Sequence, residues 1–205
     1  MSDATALDER PARVTRDSRR DGLLGCAADL LDRDGATAVT MESVAARAQV
    51  SRTLVYKHFP NREELLAALW RREAAAVDRE VAAALTGVDD FESIVRISLE
   101  TVMAAVSRRG SVGVPLLRGE LFGPGVRREQ QDRRRRVRAW YVDRVIDTFG
   151  LERAEADIAT SVYFAGLDSM LADWRADPDR VDTQTAIDTY VRLVVGGLRE
   201  IAARP

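Results

Sequence analysis

Apolar residues recur at helical spacing along most of the chain. From Ser18 onward, Leu23, Leu24, Ala27, Ala28 and Leu31 fall on one helical face, and Gly35 offers the left-handed stop that ends such a stretch. Thr40 can cap a second helix with Glu42 in its first turn and Val44, Ala45 and Ala48 inside. Gln49 and Val50 then turn the chain, and Ser51 caps a third helix from Arg52 to His58. Asn61 caps a fourth, with Glu64 three residues on as in a capping box and Leu65, Leu66, Leu69 and Trp70 as its stripe. Further helices are expected near 90–108, 112–122, 126–149, 154–175 and 184–203, separated by Gly87, Gly110, the "GPG" of Gly123 to Gly125, Gly150 and the stretch around Pro178. No run alternates with period two for long enough to make a strand, and no internal repeat is evident, so the pattern predicts an all-α fold.

Residues 1–17 break this pattern. They hold Pro11, little apolar material and the arginines Arg10, Arg13 and Arg16, and read as a flexible basic arm that Arg19 and Arg20 extend. Residues 18–60 then form an N-terminal helical unit and 61–205 a larger one. The composition changes this picture little. With 205 residues, 46% of them hydrophobic, the chain can bury a sizeable core, and a net charge of -2 excludes a protein that coats nucleic acid indiscriminately. Any nucleic-acid contact must come from a local basic surface. The single cysteine, Cys26, cannot pair within its chain and is expected in the core. The first residues lack the apolar centre of a leader and no window is apolar enough to span a membrane, so a cytoplasmic protein without membrane contact is expected.

Two short helices joined by a tight turn, the second opened by a hydroxyl cap, form the arrangement that lays a helix in the DNA major groove. Val55 and Phe59 lie four apart and make an inward edge, leaving Arg52, Thr53, Tyr56 and Lys57 outward. The stretch "VAARAQVSRTLVYKHFPNREELLAAL" resembles the N-terminal helix-turn-helix of the TetR family of bacterial transcriptional regulators, with Val44-Ala45, Ala48, Val50, Ser51, Tyr56, His58, Phe59 and Arg62 in register. Two positions depart from the family pattern: Gln49 replaces the turn glycine, and Thr53-Leu54 replaces a small pair. The resemblance implies a three-helix DNA-binding domain joined to a helical ligand-binding and dimerisation domain. It implies base contacts from Arg52 and Thr53, phosphate contacts from Tyr56 and His58, and a phosphate or guanine contact from Lys57. Thr40 and Ser51 would offer hydroxyls and backbone N–H groups to phosphates. Arg62 opposes its helix dipole unless an anion, such as a DNA phosphate, lies beside it.

A single helix-turn-helix reads few base pairs, so a homodimer on a palindromic double-stranded operator is expected. The last two helices are apolar on nearly every face, and Ile158, Val162, Ala165, Gly166, Tyr190, Val194, Gly197, Leu198 and Ile201 are candidates for the two-fold interface, with Gly196 also permitting close approach. In the family, the middle helices enclose a small-molecule effector. The candidates here are Met103, Leu117, Phe122, Trp140, Tyr141, Tyr163, Phe164 and Leu167, a lining suited to an apolar or aromatic ligand. Such an effector would release a repressor from its operator.

The run from Arg127 to Arg138 contains two i,i+4 pairs, Glu129 with Arg133 and Asp132 with Arg136, and reads as a solvated helix start or an anion-binding surface. Nothing points to catalysis: the one histidine belongs to the DNA-binding motif, no metal-ligand cluster can be assembled and no cofactor motif is present. The competing possibility is a helical ligand-binding or protein-interaction module that keeps the fold without reading DNA, favoured by Gln49 and Leu54.

Overall fold

The computed structural model describes residues 16–108, 124–177 and 181–203. These form α1 (Arg16–Asp34), a short 3₁₀ turn (Ala36–Ala38), α2 (Met41–Arg47), α3 (Arg52–His58), α4 (Arg62–Ala84), α5 (Phe91–Arg108), α6 (Pro124–Phe149), α7 (Arg153–Ala176) and α8 (Thr183–Ala202). The all-α expectation holds, with helix ends within two residues of those read from sequence for α5 to α8. The helix expected near 112–122, and with it Leu117 and Phe122, lies outside the described residues, as does the arm up to residue 15. Arg16, Arg19 and Arg20 are not part of a loose arm, because α1 already begins at Arg16.

The caps fall where the side chains allow them. Thr40 Oγ1 accepts from the Ser43 N–H at 3.0 Å while the Thr40 N–H donates to Ser43 Oγ at 2.9 Å, a reciprocal capping box. Ser51 Oγ accepts from the Leu54 N–H, and Asn61 Oδ1 from the Glu64 N–H at 2.8 Å. Arg47 of α2 holds Asp29 of α1 through two N–H groups, at 2.7 and 3.2 Å.

Two cores divide the chain. The first is built from Leu23, Leu24, Ala27 and Leu31 of α1, Val44 and Ala45 of α2, Val55 and Phe59 of α3, and Leu65 to Trp70 with Ala74 of α4. Cys26 packs half-buried against it. This core extends into α4 well past residue 60, and it also takes in Val126 at the start of α6. The second gathers Phe91, Ile94, Val95, Leu99 and Met103 of α5 with Tyr141, Val142 and Val145 of α6, Tyr163 and Leu171 of α7, and Ile187, Tyr190, Val191, Val195 and Leu198 of α8. The long helix α4 therefore runs out of one core and along the side of the other.

The two i,i+4 pairs expected on α6 are not formed. Glu129 instead accepts from Arg71 Nε and Nη2, both at 2.7 Å, and Arg133 forks onto Asp78 of α4, while Asp132 pairs with Arg135. A planar two-bond fork to a carboxylate on a neighbouring helix is stronger than a flexible pair along one helix.

Gln49 takes the left-handed conformation, with φ of 54°, at the turn between α2 and α3. A side chain there costs about 1–2 kcal/mol relative to glycine in the same conformation, partly offset by the greater chain entropy glycine loses on folding. Gln49→Gly should therefore stabilise the protein by about 0.5–1 kcal/mol, seen as a rise of a few degrees in Tm by calorimetry. An unchanged or lower Tm would show that the side chain compensates for its backbone.

Candidate nucleic-acid interface and effector cavity

Val55 and Phe59 are fully buried and fix the rotation of α3, so Arg52, Thr53, Tyr56 and Lys57 all face outward as the sequence predicts. Ser51 is exposed and Leu54 half-buried. Thr40 is half-buried, its hydroxyl occupied by the capping box.

Arg62 has partners within the chain. Its Nε donates to Val39 O and its Nη2 to Ala36 O, both at 2.6 Å, so the guanidinium ties the start of α4 to the 3₁₀ turn before α2. These backbone carbonyls offset part of the positive charge that opposes the α4 dipole. Arg62 thus braces the two recognition-domain segments against each other.

His58 closes the exposed face at the end of α3. Burial pushes its imidazole below the ordinary histidine range, and the positive charges of Arg16, Lys57, Arg20 and Arg19 push it the same way. Its Nδ1 is buried without a hydrogen-bond partner. A buried orphan N–H is costly, so the proton of the neutral ring belongs on Nε2, the donor a phosphate requires. Arg20 stacks over the Phe59 ring, its Cζ 4.8 Å from the centroid, which ties the start of α1 to the same end of α3. A local cationic surface is thereby assembled on a chain with net charge -2. Only the arginines of α1 were missed as its structured part.

A cavity of about 870 Å³ lies among α4, α5, α6 and α7. Val77, Val81 and Leu85 supply one wall, Leu99 and Val102 another, and Trp140, Tyr141, Tyr163, Phe164, Leu167 and Leu171 the aromatic and aliphatic remainder. Five of the expected lining residues, Trp140, Tyr141, Tyr163, Phe164 and Leu167, are thus brought together. Met103 is instead packed within the second core and does not reach the cavity. The Tyr141 hydroxyl donates to Ser98 Oγ at 2.7 Å, and burial raises its pKa. Two arginines of the Arg127 to Arg138 run form a polar wall that the sequence did not place on the cavity, with Arg133 held by Asp78 and Arg134 by Asp168. Helical register could have placed them, since Arg133, Arg134, Val137, Trp140 and Tyr141 share one side of α6.

The interface candidates separate into three groups. Ile158 and Val162, with relative exposures of 67% and 68%, stand open with Ala165 on α7. Gly166, Val194 and Ile201 are half-buried. Tyr190 and Leu198 are buried in the chain's own second core and are not available to a partner: the Tyr190 hydroxyl donates to Tyr163 O, and its ring lies 3.4 Å from where a Cβ on Gly166 would stand. Gly166 therefore serves packing within the chain, whereas Gly196 and Gly197 face open space. Leu193, 72% exposed, was overlooked.

A helix-turn-helix with an outward polar face, mounted on a larger helical bundle that holds a cavity, is the arrangement found in DNA-binding transcriptional regulators. Residues 23–69 match the profile of the bacterial regulatory proteins, tetR family, so the chain carries an N-terminal domain of the TetR type. It is 26% identical over 197 residues to the HTH-type transcriptional activator FasR of Mycolicibacterium smegmatis, covering 95% of this chain and 89% of that protein. The fold is shared with a TetR-like transcriptional regulator from Rhodococcus sp. RHA1 (TM-score 0.72, 19% identity, 94% of this chain and 100% of that one). It is shared too with the fatty acid degradation regulator FadR from Bacillus halodurans (TM-score 0.70, 15% identity, 88% and 96%). Among the described residues, no helix is long and apolar enough to cross a membrane and no group of three or more His, Cys, Asp and Glu side chains converges to hold a metal.

His58 is the only histidine, so its titration is read without ambiguity by NMR. In the free protein its pKa should lie below 6.5, the ordinary value. A phosphate at Nε2 stabilises the imidazolium and raises that pKa, so binding takes up a proton and DNA affinity should increase as pH falls from about 7.5 to about 6. A pKa at or above the ordinary value in the free protein, or one unmoved by duplex DNA, would remove His58 from the phosphate contacts.

Proposed function

We propose that the protein is a ligand-responsive, sequence-specific regulator that binds a palindromic operator as a homodimer and is released from it by an effector held in the α4–α7 cavity. The outward set Arg52, Thr53, Tyr56 and Lys57 beside His58 carries the DNA reading, because these side chains project together from a helix whose other face is locked into a core. Arg52 and Thr53 read base edges, while Tyr56, Lys57, His58 and the exposed Ser51 engage phosphates. Neither departure from the family pattern favours a module without DNA binding: Gln49 accommodates the turn's left-handed backbone, and Leu54 is partly withdrawn into packing.

The effector is apolar or aromatic over most of its length, to match the aromatic wall. Arg133 and Arg134 suit an acidic head that competes with Asp78 and Asp168 for them. A fatty-acyl anion has this shape, and the likeness to a regulator of fatty acid degradation supports the class. Asp78 sits on α4, the helix whose first half is part of the DNA-binding core. Drawing Arg133 away from Asp78 loosens α4 from α6 and shifts the recognition helix, and a small change in the separation of two half-site readers lowers operator affinity steeply.

Dimerisation uses the open stripe of Ile158, Val162 and Ala165 on α7 with Leu193 and Gly197 on α8, and the half-buried Val194 and Ile201 at its edge. Two copies pack these helices into a four-helix bundle. A double substitution, Val162→Arg with Leu193→Arg, should give a folded monomer in sedimentation velocity that has lost operator affinity. A persistent dimer would place the interface elsewhere.

Fluorescence anisotropy with the DNA flanking the protein's own gene, against a scrambled duplex and over a range of salt, tests the DNA function. Tighter binding to the flanking DNA, falling steeply with salt and lost in a Tyr56→Ala, Lys57→Ala variant, is expected. If the double variant binds as the native chain does, the reading is wrong; if neither duplex is preferred, selection from random duplexes supplies the operator. Saturating dodecanoate should then raise the operator Kd by about 5–150-fold, and DNA should weaken dodecanoate binding by the same factor, whereas dodecanol lacks the head and should act far more weakly. Unequal factors would exclude the two-state coupling. A reporter decides the sign: expression rising on loss of Tyr56 and Lys57 marks a repressor, and expression falling marks an activator such as FasR.

A further inference from the structure

The DNA-facing surface of the helix-turn-helix carries a carboxylate where phosphates are expected. Glu42, in the first turn of α2, accepts a hydrogen bond from Arg52 Nη1 at 2.9 Å, and both side chains are well exposed, Arg52 by 66% and Glu42 by 53%. An ion pair so open to solvent contributes little to stability, and neither side chain packs into the core. The pair is not needed to hold α2 against α3 either, since Val44 and Ala45 share a core with Val55 and Phe59.

The pair does alter what Arg52 can offer to DNA. A free arginine on this face is attracted to any phosphate, a sequence-independent term that strengthens binding to all DNA alike. Paired with Glu42, its charge is cancelled at short range and that term is lost. What remains is the planar fork, with one Nη1 proton committed to the carboxylate and further N–H groups free to project outward in a fixed plane. Guanine presents O6 and N7 side by side in the major groove and needs two parallel N–H groups held in one plane.

We propose that Glu42 is a positioning residue for Arg52: it orients the guanidinium fork toward one guanine of the operator and suppresses its general phosphate affinity, so that Arg52 supplies discrimination in place of strength. This rests on the reading of Arg52 as a base contact given under the proposed function. Glu42 itself touches no base in this arrangement. Its carboxyl is held below the usual carboxylate range, chiefly by the hydrogen bond from Arg52, so the charge persists at neutral pH.

The test uses the full chain and an operator obtained by selection from random duplexes with the native protein. Each guanine of a half-site is exchanged in turn for adenine and the affinity ratio measured by anisotropy, first for Arg52→Ala. This variant should abolish the preference at one base pair and so identify it; if it changes no preference, the base-contact reading fails and the positioning role falls with it. At the base pair so identified, Glu42→Ala should cut the discrimination by about tenfold while binding to scrambled DNA tightens and its salt dependence steepens. Glu42→Gln, which keeps the acceptor oxygen without the charge, should restore part of the discrimination. If Arg52→Ala identifies a base pair but Glu42→Ala tightens binding to operator and scrambled DNA by one common factor, with the ratio at that guanine intact, Glu42 is only a charge and the positioning role alone is overturned. Loss of preference at a different base pair would also overturn it, because Glu42 would then read DNA directly.

Discussion

The continuity of α4 is the constraint on which the rest depends. Its 23 residues span roughly 34 Å without a break. Leu65, Leu66, Leu69 and Trp70 are sealed into the same core as Phe59, whereas Val77, Val81 and Leu85 form a wall of the cavity. A helix cannot bend sharply without a proline, a glycine pair or a break in its hydrogen-bond ladder, and α4 contains neither residue. The two halves of α4 therefore move as one stiff rod, and the wall of the cavity is continuous with the helix packed against Phe59.

Helix α6 runs beside it and shares the same duality. Val126 is buried in the DNA-binding core, Glu129 and Arg133 grip Arg71 and Asp78, and Trp140 and Tyr141 reach the cavity. The two grips lie seven residues apart along α4, close to two helical turns, so they fall on one side of that helix. Each partner fixes the other's angle. The ion pairs matter here less for stability than for register, because a fork to a carboxylate tolerates little rotation.

Much of this was legible in the sequence, for reasons that differ by element. Caps at Thr40, Ser51 and Asn61 are local chemistry and could be read residue by residue. The recognition face followed from the spacing of Val55 and Phe59 alone. The pairing of Glu129 with Arg71 was not legible, because the two lie 58 positions apart and the sequence offered a plausible local partner in Arg133. Tyr190 and Leu198 show the same limit in the core: a helix apolar on nearly every face does not declare which side meets its own neighbours. The α7 tyrosine whose carbonyl accepts from Tyr190 settles that question only in three dimensions. The ties of Arg62 within the chain were not legible for a related reason, as its backbone acceptors at Val39 and Ala36 carry no side-chain signature.

Lys57 is the only lysine in the chain and stands exposed on the recognition helix. All other basic side chains but His58 are guanidinium groups, which are far less nucleophilic because their charge is delocalised and persists at any accessible pH. Electrophiles selective for side-chain amines are thus directed to one place on the surface. Coupling the protein to a support through its lysine would therefore turn the outward face of α3 toward the matrix.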